Sequence, residues 1–314
     1  MSLFDPREPA SSGPSRPSRS PKPNHLLRVA ELSMLVCRRT LRTYSCGRSK
    51  HTFTQPQLMS CLVLKAYLKQ TYRGVVEVLE LSDALCRALG LAKVPTHTTH
   101  TTLEMFAGRV ASPELVDQII GEVLALCREA GAEVAEVAVD STGVECSPAS
   151  VHFRDRSGRR RARYVKLSLA VACVSMLAVS AVASVGPTPD LAETPTLLWR
   201  ASGRCSPRVA YFDSGYDAEK VHHFCRRGWG VSSAGRGVSS FIPPFARGGH
   251  GVIKSGYRAE MARRGMPPSF GRRWHAESFV SAMKRVTLPF VRARLEPAML
   301  REAMLNVLAY ALHR

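Results

Sequence analysis

Residues 167–185 form a run of 19 without a charged side chain, and whatever this sequence folds into has to bury it. As a helix the run would span about 28 Å, close to the ~30 Å hydrocarbon core of a bilayer. Its composition argues against insertion, because five Ala, four Ser and five Val stand beside only three Leu, a weak signal on a transfer scale. The period decides the matter. Leu167, Leu169, Val171, Cys173, Leu177 and Val179 alternate with Ser168, Ala170, Ala172, Ala178 and Ser180, and a repeat of two puts successive side chains on opposite faces of a strand. The expectation is a hairpin of two strands meeting near Val174-Ser175-Met176, with no membrane span.

The hairpin needs neighbours, and the sequence offers them on both sides. Residues 133–140 have the β-branched density of a buried strand ending on Asp140, and residues 208–213 repeat the pattern and end on Asp213. A short strand at 151–153 completes the expected sheet. Asp217 is placed to cap a helix running to about Arg227. Residues 228–271, rich in Gly, Pro and Arg without periodicity, read as a loop or short insertion. A last pair of helices is expected over about 272–286 and 297–313.

Upstream of Gly131 the reading is helical. Thr54 is a cap with Pro56 in the first turn, and Leu58, Cys61, Leu62, Lys65, Ala66 and Leu68 follow at three-to-four spacing. Tyr72-Arg73-Gly74 reads as a break, a further helix is expected after Pro95, and Ser112-Pro113-Glu114 opens another that runs to about Arg128. Residues 1–24 hold six Pro and six Ser among basic residues, a composition unable to bury a core, and read as a disordered basic tail. The organisation is therefore a tail (1–24), a helical region (25–130) and an α/β domain (131–314) with a mixed sheet flanked by helices.

Charge points to the partner. Lys and Arg number 44 against 25 Asp and Glu, a net charge of +19 over 314 residues, and such a field draws polyanions. Nucleic acid is the leading candidate, membrane having been set aside by the strand period. The densest basic run holds Arg154, Arg156, Arg159, Arg160, Arg161, Arg163 and Lys166 against Asp155 alone; Arg159, Arg160, Arg161 and Lys166 are taken as phosphate contacts. Nine cysteines without a C-x-x-C pair read as reduced thiols. Together with an N-terminus that lacks an apolar signal segment, they point to a cytoplasmic location. The His97/His100 pair and the His222, His223, Cys225 group lack a second pair at zinc spacing and read as core or surface residues. No phosphate-binding G-x-x-x-x-G-K-[ST] loop is present, so nucleotide hydrolysis is not indicated.

Three acids carry the chemistry. Asp140 and Asp213 each end an expected strand, which places a carboxylate at the sheet edge where α/β ligands bind; a turn or cap role is the ordinary reading of either one alone. Glu277 lies on the expected 272–286 helix with Arg273 and Lys284 within about 60° of the same face. A carboxylate flanked by cations on one stripe suits a metal-binding acid with phosphate-gripping neighbours; an ordinary solvated face of salt bridges is the other reading. Trp274 beside Glu277 reads as a packed aromatic that fixes the helix, or as a surface for a flipped base.

Val139-Asp140-Ser141-Thr142-Gly143, Phe212-Asp213-Ser214-Gly215-Tyr216-Asp217 and Arg273-x-x-x-Glu277-x-x-x-x-x-x-Lys284 together resemble the insertion-sequence DDE transposases, over roughly residues 50–314. Residues 81–95, Tyr164-Val165-Lys166-Leu167, Pro187-Thr188-Pro189-Asp190 and residues 256–261 look like further stretches of these enzymes. Where the family signature has Tyr, this chain has Phe270; Ala311 stands where an Asn is expected; Val174-Ser175-Met176 replaces a polar hairpin turn. The resemblance implies an RNase H-like sheet and a site of Asp140, Asp213 and Glu277 binding two Mg²⁺ ions, with Mn²⁺ as a substitute. It implies cleavage at the element's ends and joining of the freed 3′-hydroxyl to target DNA. Arg273 and Lys284 would hold the backbone. Residues 52–110 read either as a helix-turn-helix for the terminal inverted repeats or as an ordinary helical hairpin, with no decisive motif between the two. The implied partners are double-stranded DNA and a second copy of the chain in the synaptic complex, on the nucleoid. The alternatives are an RNase H-fold nuclease without strand transfer and a catalytically decayed DNA-binding protein.

Overall fold

A computed structural model describes residues 24–48, 50–95, 102–146, 164–230, 237–245, 253 and 256–314. The expected tail at 1–24 (but for Asn24), the strand at 151–153, the arginines Arg159, Arg160 and Arg161, and the His97/His100 pair lie outside the described residues.

The chain is a mixed α/β structure in which, among the described residues, six helices precede a five-stranded sheet. The first is α1 (His25–Thr40), whose N-terminus Asn24 caps by accepting from Leu26 N at 2.9 Å. Next, α2 (Gln55–Tyr67) opens with a capping box: Thr54 Oγ1 accepts from Gln57 N while Gln57 Oε1 accepts from Thr54 N. Then α3 (Tyr72–Glu80) begins where a break was expected, because Thr71 caps Gly74 N at 3.0 Å and supplies the start signal ahead of the glycine. After α4 (Asp83–Ala88) and α5 (Thr102–Arg109) comes α6 (Pro113–Glu129), with Ser112 as cap and Pro113 in the first turn, as its sequence demands.

The hairpin is present: β2 (Tyr164–Ala172) and β3 (Ala178–Gly186) pair antiparallel, with Met176 at φ +55° in the connection. β1 (Glu136–Glu145) pairs antiparallel with β2 and parallel with β4 (Val209–Phe212), which pairs parallel with β5 (Ser239–Phe241). The order is β3-β2-β1-β4-β5. The stretch read as a loop or insertion thus carries the fifth strand, as well as α9 (Gly256–Arg264); a strand of three residues, Ser-Ser-Phe, is too short to show a period. Between them, α7 (Asp190–Ser202) follows β3 and the short α8 (Glu219–His223) follows β4. Contrary to the expectation from sequence, Asp217 does not cap α8; its carboxylate takes Arg258 in a two-pronged pair at 2.9 and 2.6 Å and accepts from Phe245 N. α10 (Trp274–Val286) and α11 (Glu296–His313) close the chain.

Both faces of the sheet are covered. Ala170, Ala172, Val137, Val139, Ala210 and Phe212 pack on α7 and on the segment from Tyr216 to Trp229. On the other face, Val165, Leu167, Leu169 and Val171 join a core shared with α1, α2, α6 and α11. α2 is buried nearly all round, from Leu58 to Ala66, and α11 from Ala303 to Leu312, the mark of central helices. The helical region and the sheet therefore share one hydrophobic core. No helix among the described residues is long and apolar enough to cross a membrane. None of the nine cysteines is in a disulfide.

Edge strand β3 is closed by α6 through Asp117, which is 1% exposed. Its Oδ1 accepts from Ala181 N at 2.8 Å, and its two oxygens take Arg204 at 3.1 and 2.7 Å. The Arg204 side chain crosses α6 at Gly121, where a Cβ would lie 2.5 Å from its Nε.

Candidate active site

The two aspartates are brought together by register. Val139 is opposite Phe212 in the parallel pair, so Asp140 and Asp213 stand one step further on adjacent strands, whose spacing is about 4.8 Å. By alternation both lie on the side of Ala138 and Tyr211, the side that α10 covers with Ala276. Contrary to the expectation from sequence, Asp140 does not end its strand; β1 runs on to Glu145 along β2, with a further bridge from Glu145 to Phe290. The end belongs to β4, which leaves the ladder at Phe212 and frees the space beside Asp140. Asp213 opens the turn Ser214–Tyr216 without a capping bond.

Ala276 is fully buried, and its small side chain lets α10 approach Ala138, Cys173 and Tyr211. Glu277, one residue on, is turned to the rim, with its side chain 45% exposed. Phe270 meets Tyr211 edge-on at 6.3 Å, so the ring packs where the resembling family has Tyr. Arg273 belongs to the 3₁₀ turn Pro268–Arg273 ahead of α10 and pairs with Glu277 at 2.7 Å. Lys284 reaches back to β1, donating to Thr142 Oγ1 at 3.0 Å and Gly143 O at 2.8 Å, and burial lowers its affinity for the proton. Two of its three donors are thus used inside the fold.

Asp140 is the perturbed acid. Burial pushes its carboxyl up to about 6, and the like charges of Asp213 and Glu277 act in the same direction; the Ser141 N–H at 2.8 Å and Arg273 oppose them. Three carboxylates close enough to repel, offering only oxygen, are a donor set for a hard divalent cation, which would relieve that repulsion. In the present conformation Glu277 is turned to Arg273, and among the described residues no three acidic, His or Cys side chains already converge on one metal position.

Lys166 requires a correction. It is 4% exposed, and its ammonium donates inward, to Thr188 O at 2.7 Å and to Asp190 at 2.7 Å, with Glu193 at 3.8 Å. It forms no part of an outward basic surface, because the alternation of β2 turns it into the core face. Trp274, by contrast, is 66% exposed, so it does not fix the helix by packing. His222 and Cys225 are buried core residues, with His222 Nδ1 2.8 Å from Ser240 Oγ. The pairing of buried Lys166 with half-buried Asp190 went unread in the sequence, although one lysine in an otherwise uncharged strand already calls for a carboxylate beside it.

No protein-family model matches the chain, and no curated protein is significantly similar to it.

Proposed function

We propose that the chain is a metal-dependent DNA strand-cleaving and strand-joining enzyme, a DDE transposase with an RNase H-like catalytic fold. The observation that carries this reading is the register-matched pair Asp140 and Asp213 on parallel neighbours, with Glu277 on the helix laid over the same face. A mixed sheet with three antiparallel strands and two parallel ones, flanked by helices on both sides, supports the fold part of the reading.

Asp140 and Asp213 would hold the metal and Glu277 would complete the set. Bound Mg²⁺ supplies Lewis-acid activation of a water or 3′-hydroxyl and stabilises the leaving oxygen of a phosphodiester. The chain's own groups do the rest. Arg273 holds Glu277 at the rim and would itself meet a phosphate of bound DNA. Lys284 ties α10 to Thr142 and Gly143, three residues or fewer beyond Asp140, and keeps one donor for the DNA backbone. Trp274 presents an open ring next to Glu277 on which an unpaired base can stack. The net charge of +19 favours DNA from a distance. Pairing of two element ends calls for a homodimer on the nucleoid.

The test is incubation of the purified chain with Mg²⁺ and DNA carrying the flanking inverted repeats, alongside Asp140→Ala, Asp213→Ala and Glu277→Ala. Cleavage and joining by the wild type, lost in all three variants, is the expected result. Cleavage without joining would favour the nuclease, and binding without cleavage would favour a DNA-binding protein that has lost its chemistry.

A further inference from the structure

On the face of β1 opposite Asp140 lies a polar cluster that the acids do not explain. Ser141 Oγ donates to Asp190 Oδ1 at 2.6 Å, and the same oxygen receives Lys166 Nζ at 2.7 Å. Asp190 is the first residue of α7, whose N-terminal end favours a negative charge. Lys166 is held there by Thr188 O as well and is almost wholly enclosed, its side chain 5% exposed. The other oxygen of Asp190 lies against Gly215: a Cβ at that position would come within 2.4 Å of Asp190 Oδ2. One carboxylate therefore touches Ser141, next after Asp140, and Gly215, two after Asp213.

The link to the site runs through a single peptide. The N–H of Ser141 donates to Asp140 Oδ1 at 2.8 Å, so the residue whose hydroxyl is fixed by Asp190 is the residue whose amide orients the Asp140 carboxylate. On the β4 side, a side chain at 215 would displace the Asp190 carboxylate from its place against the turn after Asp213. Beyond Phe212 the segment Ser141–Glu145 has no partner from β4, and this cluster links β1 to the turn after β4 where their ladder stops.

We propose that Asp190 is a positioning residue for the acidic pair, fixing Asp140 through Ser141 and Asp213 through Gly215, with Lys166 as the buried countercharge that holds it in place. The inference rests on the reading of Asp140 and Asp213 as metal ligands. Groups that orient a ligand from behind typically change metal affinity or activity by 10–100-fold when removed.

The test uses the full chain and Mn²⁺ alone, titrated by electron paramagnetic resonance, with the melting temperature of every variant recorded. Ser141→Ala keeps the Lys166–Asp190 pair and removes only the link, so it carries the test even if Asp190→Asn folds poorly. The expected result is Mn²⁺ binding by the wild type that Asp140→Asn abolishes, weakened about tenfold by Ser141→Ala and by Gly215→Ala, and returned to near the wild-type value by Ser141→Thr. Glu129→Gln, which breaks the distant pair with Arg39, should leave binding unchanged. Wild-type binding that Ser141→Ala and Gly215→Ala leave intact overturns the positioning role while sparing the metal site. A wild type that binds no Mn²⁺ overturns the metal site itself, and the positioning role with it.

Discussion

Asp117→Ala tests how the sheet edge is held. The substitution removes the acceptor of the Ala181 N–H and both prongs of the Arg204 pair, and leaves Arg200, 3.6 Å from the same carboxylate, without this partner. Asp117 is 1% exposed and the Arg204 side chain 16%, so water does not readily take over. Breaking a buried pair from one side costs about 3–5 kcal/mol, because the remaining charge stays desolvated. The orphaned strand amide belongs to the same penalty and is not added to it in full. Urea denaturation should show the midpoint falling with an unchanged slope. Replacing both partners, Asp117→Ala with Arg204→Met, should cost less than the sum of the singles, since no charge is then stranded. A loss below about 1 kcal/mol for Asp117→Ala would refute the reasoning, as it would place this ion pair with solvent-screened surface pairs.

Three other outcomes are expected. Gly121→Ala, which in an exposed helix interior would stabilise by about 1 kcal/mol, should destabilise here, because the new methyl meets Arg204 Nε; thermal melts decide the sign. Asp140 has its folded pKa raised to about 6 by burial, so its charged form costs stability: the fold loses stability as pH rises from about 4 to 6 and holds level above. Asp140→Asn should therefore melt higher than wild type at pH 7.5 in chelator, by about 1–2 kcal/mol after discounting for partial exposure, and lose that advantage below pH 4. Trp274→Ala should leave stability within about 0.5 kcal/mol yet weaken fluorescence-measured binding of single-stranded DNA, by about 1–3 kcal/mol if one base stacks there.

Where a local rule and the tertiary structure agreed, the sequence was legible. The period of two gave the hairpin, and Thr54 and Ser112 gave two helix starts, since a cap is written in neighbouring residues. Other features depend on distant partners. β1 continues through Ser141, Thr142 and Gly143, past the expected end at Asp140, because β2 supplies their ladder. Lys166 reads as part of a basic run, and only its strand parity and the arrival of Asp190 from α7 turn it inward. Of the acids, Asp140 and Asp213 were visible as ends of β-rich stretches, but their common register depends on the parallel pairing, which no local signal encodes.

The shared core has an evolutionary consequence. His25 near the start of α1 and His313 at the end of α11 lie with ring centroids 4.6 Å apart, both beside Tyr67 of α2. The first and last helices thus clasp each other across a helix buried on all sides. A helical region built this way is not a cassette that recombination can exchange, because removing it would strip the sheet of its cover. Change in the helical region has to arise by point substitution on its outer faces, because its inner faces and the sheet are parts of one interior.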